Sequence, residues 1–209
     1  MIAPGNDELL FLALGGAGEI GMNLNLYGHA GKWLMVDLGI AFGDDTMPGI
    51  DVVMPDPAFI EERRDDLVGI ILTHAHEDHL GAVADLWPRL RAPVYATPFA
   101  ASVLRRKLVE AGLANDVPVT EVAPGAKFTV APFELEMITM THSIPEPNAL
   151  AVRTNRHKLV RDAPHFRRCF GARWGRAVPR ARADVAAGVP GCARCGRLIA
   201  PACVQGEHP

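Results

Sequence analysis

The sequence begins without the features of an export signal or a membrane anchor. Its first residues, MIAPGNDELLFLALGG, carry acidic side chains where a secretory signal carries basic ones. The apolar run LLFLAL is also far shorter than the roughly 20 residues that a membrane-spanning helix needs. We therefore expect a cytoplasmic protein that has no membrane partner.

Cysteine is absent from the first 168 of the 209 residues. The four cysteines all follow this stretch, at Cys169, Cys192, Cys195 and Cys203. In a cytoplasmic chain such cysteines favour free thiols or metal binding over disulfide bonds. Disulfide bonds are therefore not expected to hold the fold together.

Basic residues are scarce in the larger part of the chain. Residues 1–152 contain 9 Lys and Arg against 21 Asp and Glu, whereas residues 153–209 contain 12 against 3. The formal net charge of -3 hides this division. Such a break indicates two segments with different origins or roles. We expect one domain over residues 1–153 and a mostly irregular, basic, cysteine-containing tail over residues 154–209.

Apolar runs alternate with amphipathic stretches across the first part, which predicts an α/β fold. A hairpin is predicted around HAG (29–31). Two helices are predicted, one that starts at residue 79 and is stopped by Pro88, and one over residues 97–113 that Thr97 caps. Further strands are predicted at residues 9–14, 67–73, 92–97, 117–122, 127–141 with a break near Pro132, and 149–154.

The segment THAHEDH (73–79) places three histidines and an aspartate directly after a predicted strand. In an extended chain alternate residues point the same way, so His74, His76 and Asp78 can converge. His79 then turns inward as the next helix begins. Imidazole and carboxylate groups together suit zinc and related metals. The segment therefore predicts a metal site.

A second segment, THSIPE (141–146), also places a histidine after a predicted strand. Taken alone, a histidine in this position is more often structural than a ligand. Beside the first segment His142 becomes a candidate ligand, because a parallel or neighbouring strand would bring it to the same edge of the sheet. We therefore expect His142 to join the metal site.

The motifs together resemble the metallo-β-lactamase superfamily and, within it, the ribonuclease J family. The resemblance covers residues about 8–153 and implies an α/β fold, a partial αββα sandwich with metals at the sheet edges. Four segments carry it, in the order found in that family: LGGAGEIGMN (14–23), DLGIAFGDDTMPGIDVVMPD (37–56), LTHAHEDHLGA (72–82) and THSIPEPNALAV (141–152).

This resemblance implies a zinc-dependent ribonuclease that hydrolyses phosphodiester bonds of RNA through a metal-activated water. Two metals about 3.5–4 Å apart would clamp the attacking and non-bridging oxygens. Asp78 would both bind metal and act as the general base. Asp37 would lie behind the histidines, unless it is a simple turn residue. The implied ligands are His74, His76 and His142 for one zinc, and Asp78 and His79 for the second.

Two further ligands of the second zinc lack their family setting in this chain. The family supplies a bridging aspartate from a TGD turn and a late histidine from beyond an inserted β-CASP domain. Asp162 lies near the expected separation but in VRDAPH, without the small turn residues, and His157, His165 and His208 have no matching context. We therefore expect a truncated and impaired enzyme whose second zinc binds weakly or not at all.

The family closes its sandwich with strands and helices that follow the inserted domain, and the resemblance does not extend to these elements. We therefore expect exposed apolar sheet faces and an unpaired sheet edge. Such surfaces favour aggregation or pairing with another chain, which makes a homo-oligomer a candidate state.

The tail contains CARC, a C-x-x-C knuckle at Cys192 and Cys195. Together with Cys203 and His208 this knuckle could form a separate zinc site. The tail arginines could also contact RNA phosphates. However, the abrupt switch to Arg-, Pro- and Ala-rich sequence is typical of a frameshift or a joined fragment. We expect residues after about 153 not to derive from the family.

Two other functions stay open at this point. A small-substrate hydrolase of metallo-β-lactamase fold would use the same metal residues, although GGAGEIGMN and THSIPE disfavour it. A non-catalytic remnant would bind metal or nucleic acid and would use the basic tail for any binding.

Overall fold

The computed structural model describes residues 3–43, 45–155 and 157–161. The expectations for Asp162, His165, His208 and the four cysteines lie outside these residues. None of the helices described here is both long and apolar enough to cross a membrane. The strands are β1 (Leu10–Gly15), β2 (Leu24–His29), β3 (Lys32–Leu38), β4 (Ala41–Phe42), β5 (Val52–Val53), β6 (Leu67–Ile71), β7 (Val94–Ala96), β8 (Val119–Glu121), β9 (Lys127–Val130), β10 (Phe133–Thr139), β11 (Asn148–Arg153) and β12 (Lys158–Arg161). The helices are α1 (Ala58–Glu61), α2 (Glu77–Leu80), α3 (Val83–Leu90) and α4 (Pro98–Glu110), with a 3₁₀ turn at Arg64–Asp66.

A six-stranded mixed sheet runs in the order β1-β2-β3-β6-β7-β8. The first three strands are antiparallel, and β6, β7 and β8 continue the sheet in parallel with β3. The β6 sequence, LVGII, is almost entirely buried, as its unbroken apolar run predicts for a strand covered on both faces. Because β3 and β6 are parallel neighbours, the residues that follow them meet at one edge of the sheet.

A second, antiparallel sheet has the order β12-β11-β10-β9. The predicted break near Pro132 separates β9 from β10. Within the segment that was expected to be mostly irregular, Lys158–Arg161 form β12, which pairs with the free backbone edge of β11. The division of the chain into two units at residue 153 stays a prediction.

Two apolar clusters pack the layers together, and neighbouring residues of β6 illustrate them. Ile70 faces the helices and shares a cluster with Leu104 of α4. Ile71 faces the opposite way and shares a cluster with Phe133 and Leu150 of the second sheet. The described residues therefore form a helix layer, a mixed sheet and an antiparallel sheet, which is part of the predicted α/β sandwich.

The first predicted helix differs from expectation. It forms two helices, α2 and α3, and Pro88 lies inside α3 instead of ending it. Proline removes one backbone hydrogen bond from a helix, but the buried side chains of Trp87 and Leu90 keep the last turn of α3 on the core. The helix ends at Arg91, whose φ of 53° is left-handed.

Candidate metal centre

Two parallel strands bring a buried aspartate and a threonine together at one edge of the mixed sheet. Asp37 lies near the end of β3, and Thr73 follows β6. The backbone N–H and the hydroxyl of Thr73 each donate a hydrogen bond of 2.9 Å to Asp37 Oδ1. Asp37 has a φ of 63°, a left-handed conformation that aspartate adopts more readily than most residues. The Thr73 bonds hold its carboxylate in this position.

Three histidines gather above this pair at the meeting edges of the two sheets. The ring centroids of His74 and His76 lie 4.9 Å apart, and His142 lies 5.0 Å from the first and 4.7 Å from the second. One ligand atom from each ring lies within 4.8 Å of the others. The expectation that His142 reaches the edge of the same sheet is wrong, because it follows β10 of the second sheet. Packing of one sheet on the other completes the cluster.

The three-histidine cluster fits a four-coordinate metal. His74 Nε2 lies 3.1 Å from His76 Nδ1, whereas two nitrogens on a tetrahedral zinc with bonds of about 2.0–2.1 Å lie roughly 3.3 Å apart. Burial, followed by the charge of His79, lowers the pKa of His74 to about 3. The His74 ring is therefore neutral at pH 7, which is the form that binds a metal. Its Nδ1 lies 3.0 Å from the Thr73 hydroxyl, so Nε2 faces the other histidines.

His79 and Asp78 lie beside this cluster, and the ring centroids of His74 and His79 are 4.0 Å apart. His79 Nδ1 lies 2.8 Å from Asp37 Oδ2, and its Nε2 lies 3.3 Å from Asp78 Oδ2. Burial favours the neutral ring, but the Asp37 and Asp78 carboxylates outweigh burial and raise the pKa of His79 to about 9. The ring is therefore protonated at pH 7 in the metal-free protein, with its Nε2–H facing Asp78. A metal bound at Nε2 would displace this proton, while the Asp37 carboxylate at Nδ1 keeps the ring in place.

Asp78 combines negative charge with access to solvent. Burial raises the pKa of the Asp78 carboxyl, but the hydrogen bond from His79 and its charge more than compensate, so the pKa is lower than usual. About a fifth of the side chain, 22%, is exposed. An ionised carboxylate in this position can bind a cation or accept a proton from water.

The loop between β10 and β11 holds His142 through contacts to both sheets. The backbone N–H of Asn148 donates to the Thr73 carbonyl at 3.1 Å, and Met140 N–H donates to Pro147 O at 3.0 Å. The first bond links the second sheet directly to the histidine segment. The position of His142 relative to the other histidines therefore depends on this connection.

The same loop also caps a helix. Thr97 occupies the N-cap position of α4 but makes no side-chain capping bond, so the prediction that it caps this helix is wrong. Glu146 takes this role, because its Oε2 accepts a 2.8 Å hydrogen bond from the Phe99 N–H. The carboxylate also lies at the positive end of the helix dipole. The Asn148 side chain donates to Glu146 O at 2.8 Å, which ties the cap to β11.

Sequence reasoning did not identify Thr73, Glu146 or Asn23 as parts of this centre. Thr73 could have been recognised from its position between a buried strand and the first histidine. Glu146 lies within a quoted motif, but its partner Phe99 is 47 residues away in the chain. Asn23 ends the glycine-rich motif, and its side chain donates to the Asp78 carbonyl at 2.9 Å. Contacts of this kind leave no periodic signal in the sequence.

All five predicted metal residues lie where the edges of the two sheets meet, three in the cluster and two beside it. Within the part of the chain that the structure describes, the three clustered histidines are the group whose ligand atoms lie close enough together to hold one metal ion. His157, which has no matching family context, lies in the turn before β12, with its ring centroid 6.3 Å from that of His29. It takes no part in the centre.

A helix layer, two packed sheets and histidines at their meeting edges define the class of this protein. The family model for the beta-lactamase superfamily domain matches residues 45–161, and the chain belongs to this superfamily. The match ends with β12. The metallo-beta-lactamase fold protein YhfI from Bacillus subtilis aligns with a TM-score of 0.53 and 18% identity, covering 74% of this chain and 61% of that one. This likeness confirms the predicted fold.

Within the superfamily, the chain is similar to ribonuclease J. It is 50% identical to ribonuclease J of Sinorhizobium meliloti over 159 residues, which cover 74% of this chain and 28% of that protein. It is 35% identical to ribonuclease J 1 of Streptococcus pyogenes serotype M3 over 154 residues, with the same two coverages of 74% and 28%. The resemblance drawn from the four sequence segments is confirmed. The chain spans less than a third of the length of these relatives.

Proposed function

We propose that this chain carries the metal centre of a zinc-dependent ribonuclease, a phosphodiester hydrolase of the ribonuclease J type that acts on RNA. One observation carries the proposal. Three clustered histidines, with Asp78 and His79 beside them, occur in a chain that is 50% identical to a ribonuclease J. A small-substrate hydrolase has less support, because the relative that is 50% identical to this chain is named a ribonuclease.

The donor set determines which metal we propose. Imidazole nitrogens with a carboxylate suit zinc better than magnesium or calcium, which prefer oxygen ligands. His74, His76 and His142 would hold one ion, and Asp78 and His79 would contact a second. Bound zinc supplies a Lewis acid for phosphoryl oxygens and a water whose pKa is lowered to about 7. Because the described residues offer fewer ligands to the second position, we propose that it binds zinc more weakly.

Asp78 is the general base in this proposal. Its lowered pKa keeps the carboxylate ionised at neutral pH, and its partial exposure allows water to reach it. His79 Nε2, 3.3 Å away, orients the carboxylate. Asp37 in turn holds the His79 ring from the other side. The aspartate would accept the proton of the attacking water as its oxygen bonds to phosphorus and the phosphorus–oxygen bond to the leaving ribose breaks, and the leaving oxygen would take a proton from solvent.

Hydrolysis of 5′-monophosphorylated RNA tests the proposal. The zinc-loaded protein should cleave this RNA, and Asp78→Ala should lower kcat by about 100-fold or more, the usual contribution of a general base. His76→Ala should also remove activity, whereas Asp85→Ala, which changes an exposed aspartate of α3, should not.

A different pattern would replace the proposal with the non-catalytic alternative. In that case the wild-type protein would bind RNA without cleaving it. Binding would persist in His76→Ala and Asp78→Ala and would disappear on deletion of residues 154–209.

A further inference from the structure

The helix that carries Asp78 and His79 cannot hold its own position. It is a single turn of four residues, and a turn of this length is not stable alone in water. Contacts from other segments must therefore keep it in place. The Glu77 carbonyl accepts a 2.9 Å hydrogen bond from the Ile40 N–H, and the Asp78 carbonyl is held by Asn23, the residue before β2.

Asn23 supplies two donors to that one carbonyl. Its backbone N–H lies 3.0 Å from Asp78 O, and its side-chain Nδ2 lies 2.9 Å from the same oxygen. The same Nδ2 lies 3.4 Å from His79 Nε2. A single side chain with no solvent exposure therefore contacts both residues of the one-turn helix that face the proposed metals.

The glycine-rich segment holds the Asn23 side chain in turn. A Cβ atom placed on Gly16 would lie 2.2 Å from Asn23 Oδ1. On the other side, the Asn23 carbonyl accepts a 3.0 Å bond from the Gly39 N–H, and a Cβ atom on Gly39 would lie 1.8 Å from Asp78 O. Side chains larger than glycine do not fit at either position without movement. Backbone therefore packs around the Asn23 amide and the carbonyl that it holds.

We propose that Asn23 is a positioning residue for the hydrolysis, which sets Asp78 and His79 against the three-histidine cluster. This inference rests on the proposed function. The amide is suited to the role because it donates without carrying charge. An aspartate of the same shape would offer no donor and would place a buried carboxylate against the Asp78 carbonyl oxygen. The motif GGAGEIGMN thereby becomes part of the site.

Two substitutions remove the amide and test the inference. In the zinc-loaded protein, Asn23→Ala and Asn23→Ser should lower kcat for RNA hydrolysis by about 10–100-fold with KM unchanged, the usual effect of losing a group that orients a metal ligand. In the metal-free protein, the ring ¹⁵N NMR signals of His79 should move in both variants. The signals of His29, on the far end of β2, should stay in place.

Asn25→Ala is the matched control. Asn25 lies in β2, two residues after Asn23, and is likewise a buried asparagine. Its Nδ2 has no hydrogen-bond partner among the described residues. Its removal should leave kcat and the His79 signals unchanged. If Asn25→Ala changed kcat and the His79 signals as much as Asn23→Ala does, the effect would come from the loss of any buried asparagine in this segment and not from the contact with Asp78.

The possible outcomes separate the inference from the function on which it rests. Folded Asn23 variants with wild-type kcat and unmoved His79 signals would overturn the inference. Failure of both variants to fold, while Asn25→Ala folds, would also overturn it in favour of a purely structural role. A wild-type protein that cleaves no RNA would instead remove the proposed function, and displaced His79 signals in the variants would still support the positioning of this ring by Asn23.

Discussion

The centre contains a buried pair of ionisable side chains, His79 and Asp37. The His79 and Asp37 side chains are 0% and 1% exposed and lie 2.8 Å apart. Removing one partner of such a pair leaves the other charged and unhydrated, which costs several kcal/mol. The same pair orients the imidazole for metal binding, so stability and proposed function depend on the same atoms.

The Asp37 carboxylate should be necessary for metal binding at the second position, where His79 is a proposed ligand. Asp37→Asn keeps the size of the side chain but removes the charge that holds the His79 ring. We expect the zinc affinity of this second position to fall by about 10–100-fold, as measured by competition with a chromophoric chelator. Asp85→Asn makes the same change at an exposed position and should have no effect. Equal affinities for Asp37→Asn and wild type would exclude the orienting role.

The His79–Asp37 pair also predicts how the stability of the metal-free protein depends on pH. The pKa of His79 is about 9 in the folded chain and about 6.5 when unfolded, so the folded state binds more protons between these values. The stabilising contribution is therefore complete below about pH 6.5 and is lost as the pH rises through about 9. Urea unfolding in EDTA should show that the free energy of unfolding falls by on the order of 1–3 kcal/mol between about pH 6.5 and pH 9. His79→Gln should lack this loss, and a flat wild-type profile would contradict the prediction.

Short connecting segments, more than the regular strands, place the donor groups. The glycine-rich turn, the one-turn helix α2 and the loop between β10 and β11 each depend on hydrogen bonds from other elements. The strands provide the rigid base on which these segments rest. Such an arrangement lets a few contacts determine the geometry of the whole centre.

The loop that carries His142 should be sensitive to its helix cap. Glu146→Ala removes the acceptor of the Phe99 N–H and should lower the free energy of unfolding by about 1 kcal/mol, the usual value for a helix cap. Zinc affinity should fall as well, because the loop loses its anchor on α4. Denaturant unfolding and chelator competition measure the two effects. Glu134→Ala, at an exposed position of β10, serves as the control.

Unchanged unfolding and metal binding in Glu146→Ala would mean that the contact is incidental. A change in unfolding alone would limit Glu146 to capping the helix. Only a loss of zinc affinity would show that the cap also positions His142.

Across the whole molecule, the centre joins two sheets that pack face to face. His74 and His76 extend from the mixed sheet, whereas His142 extends from the antiparallel sheet. A metal held by all three would cross-link the two layers. Binding should therefore stabilise the fold as a whole as well as the local loops.

Zinc should raise the free energy of unfolding by about 2.7 kcal/mol when the free ion is at 100 times its Kd. In His142→Ala most of this gain should be lost, because the second sheet no longer contributes a ligand. His157→Ala removes an imidazole that lies outside the cluster and should keep the gain. Chemical unfolding with and without zinc measures it. The same stabilisation in His142→Ala would show that the metal does not bridge the sheets.

Much of the fold could be predicted from local patterns. The unbroken apolar run of β6 and the break at Pro132 each indicated the correct element. The cap of α4 and the continuation of α3 through Pro88 could not be predicted, since both depend on contacts with distant residues. The pairing of β12 was missed for the same reason, because the edge of β11 stabilises a segment whose own sequence has no strand pattern.

The chemistry of the centre was encoded locally, in the spacing of THAHEDH after a buried strand and in the motifs that led to the superfamily. Neighbouring side chains along a strand or a turn take directions that the backbone period sets, so such spacing can be interpreted without coordinates. Three contacts could be seen only in the folded chain. His142 comes from a second sheet, Asp37 lies against His79, and Asn23 contacts the Asp78 carbonyl. These contacts form only when separate layers pack together, and packing of distant segments leaves no regular spacing in the sequence.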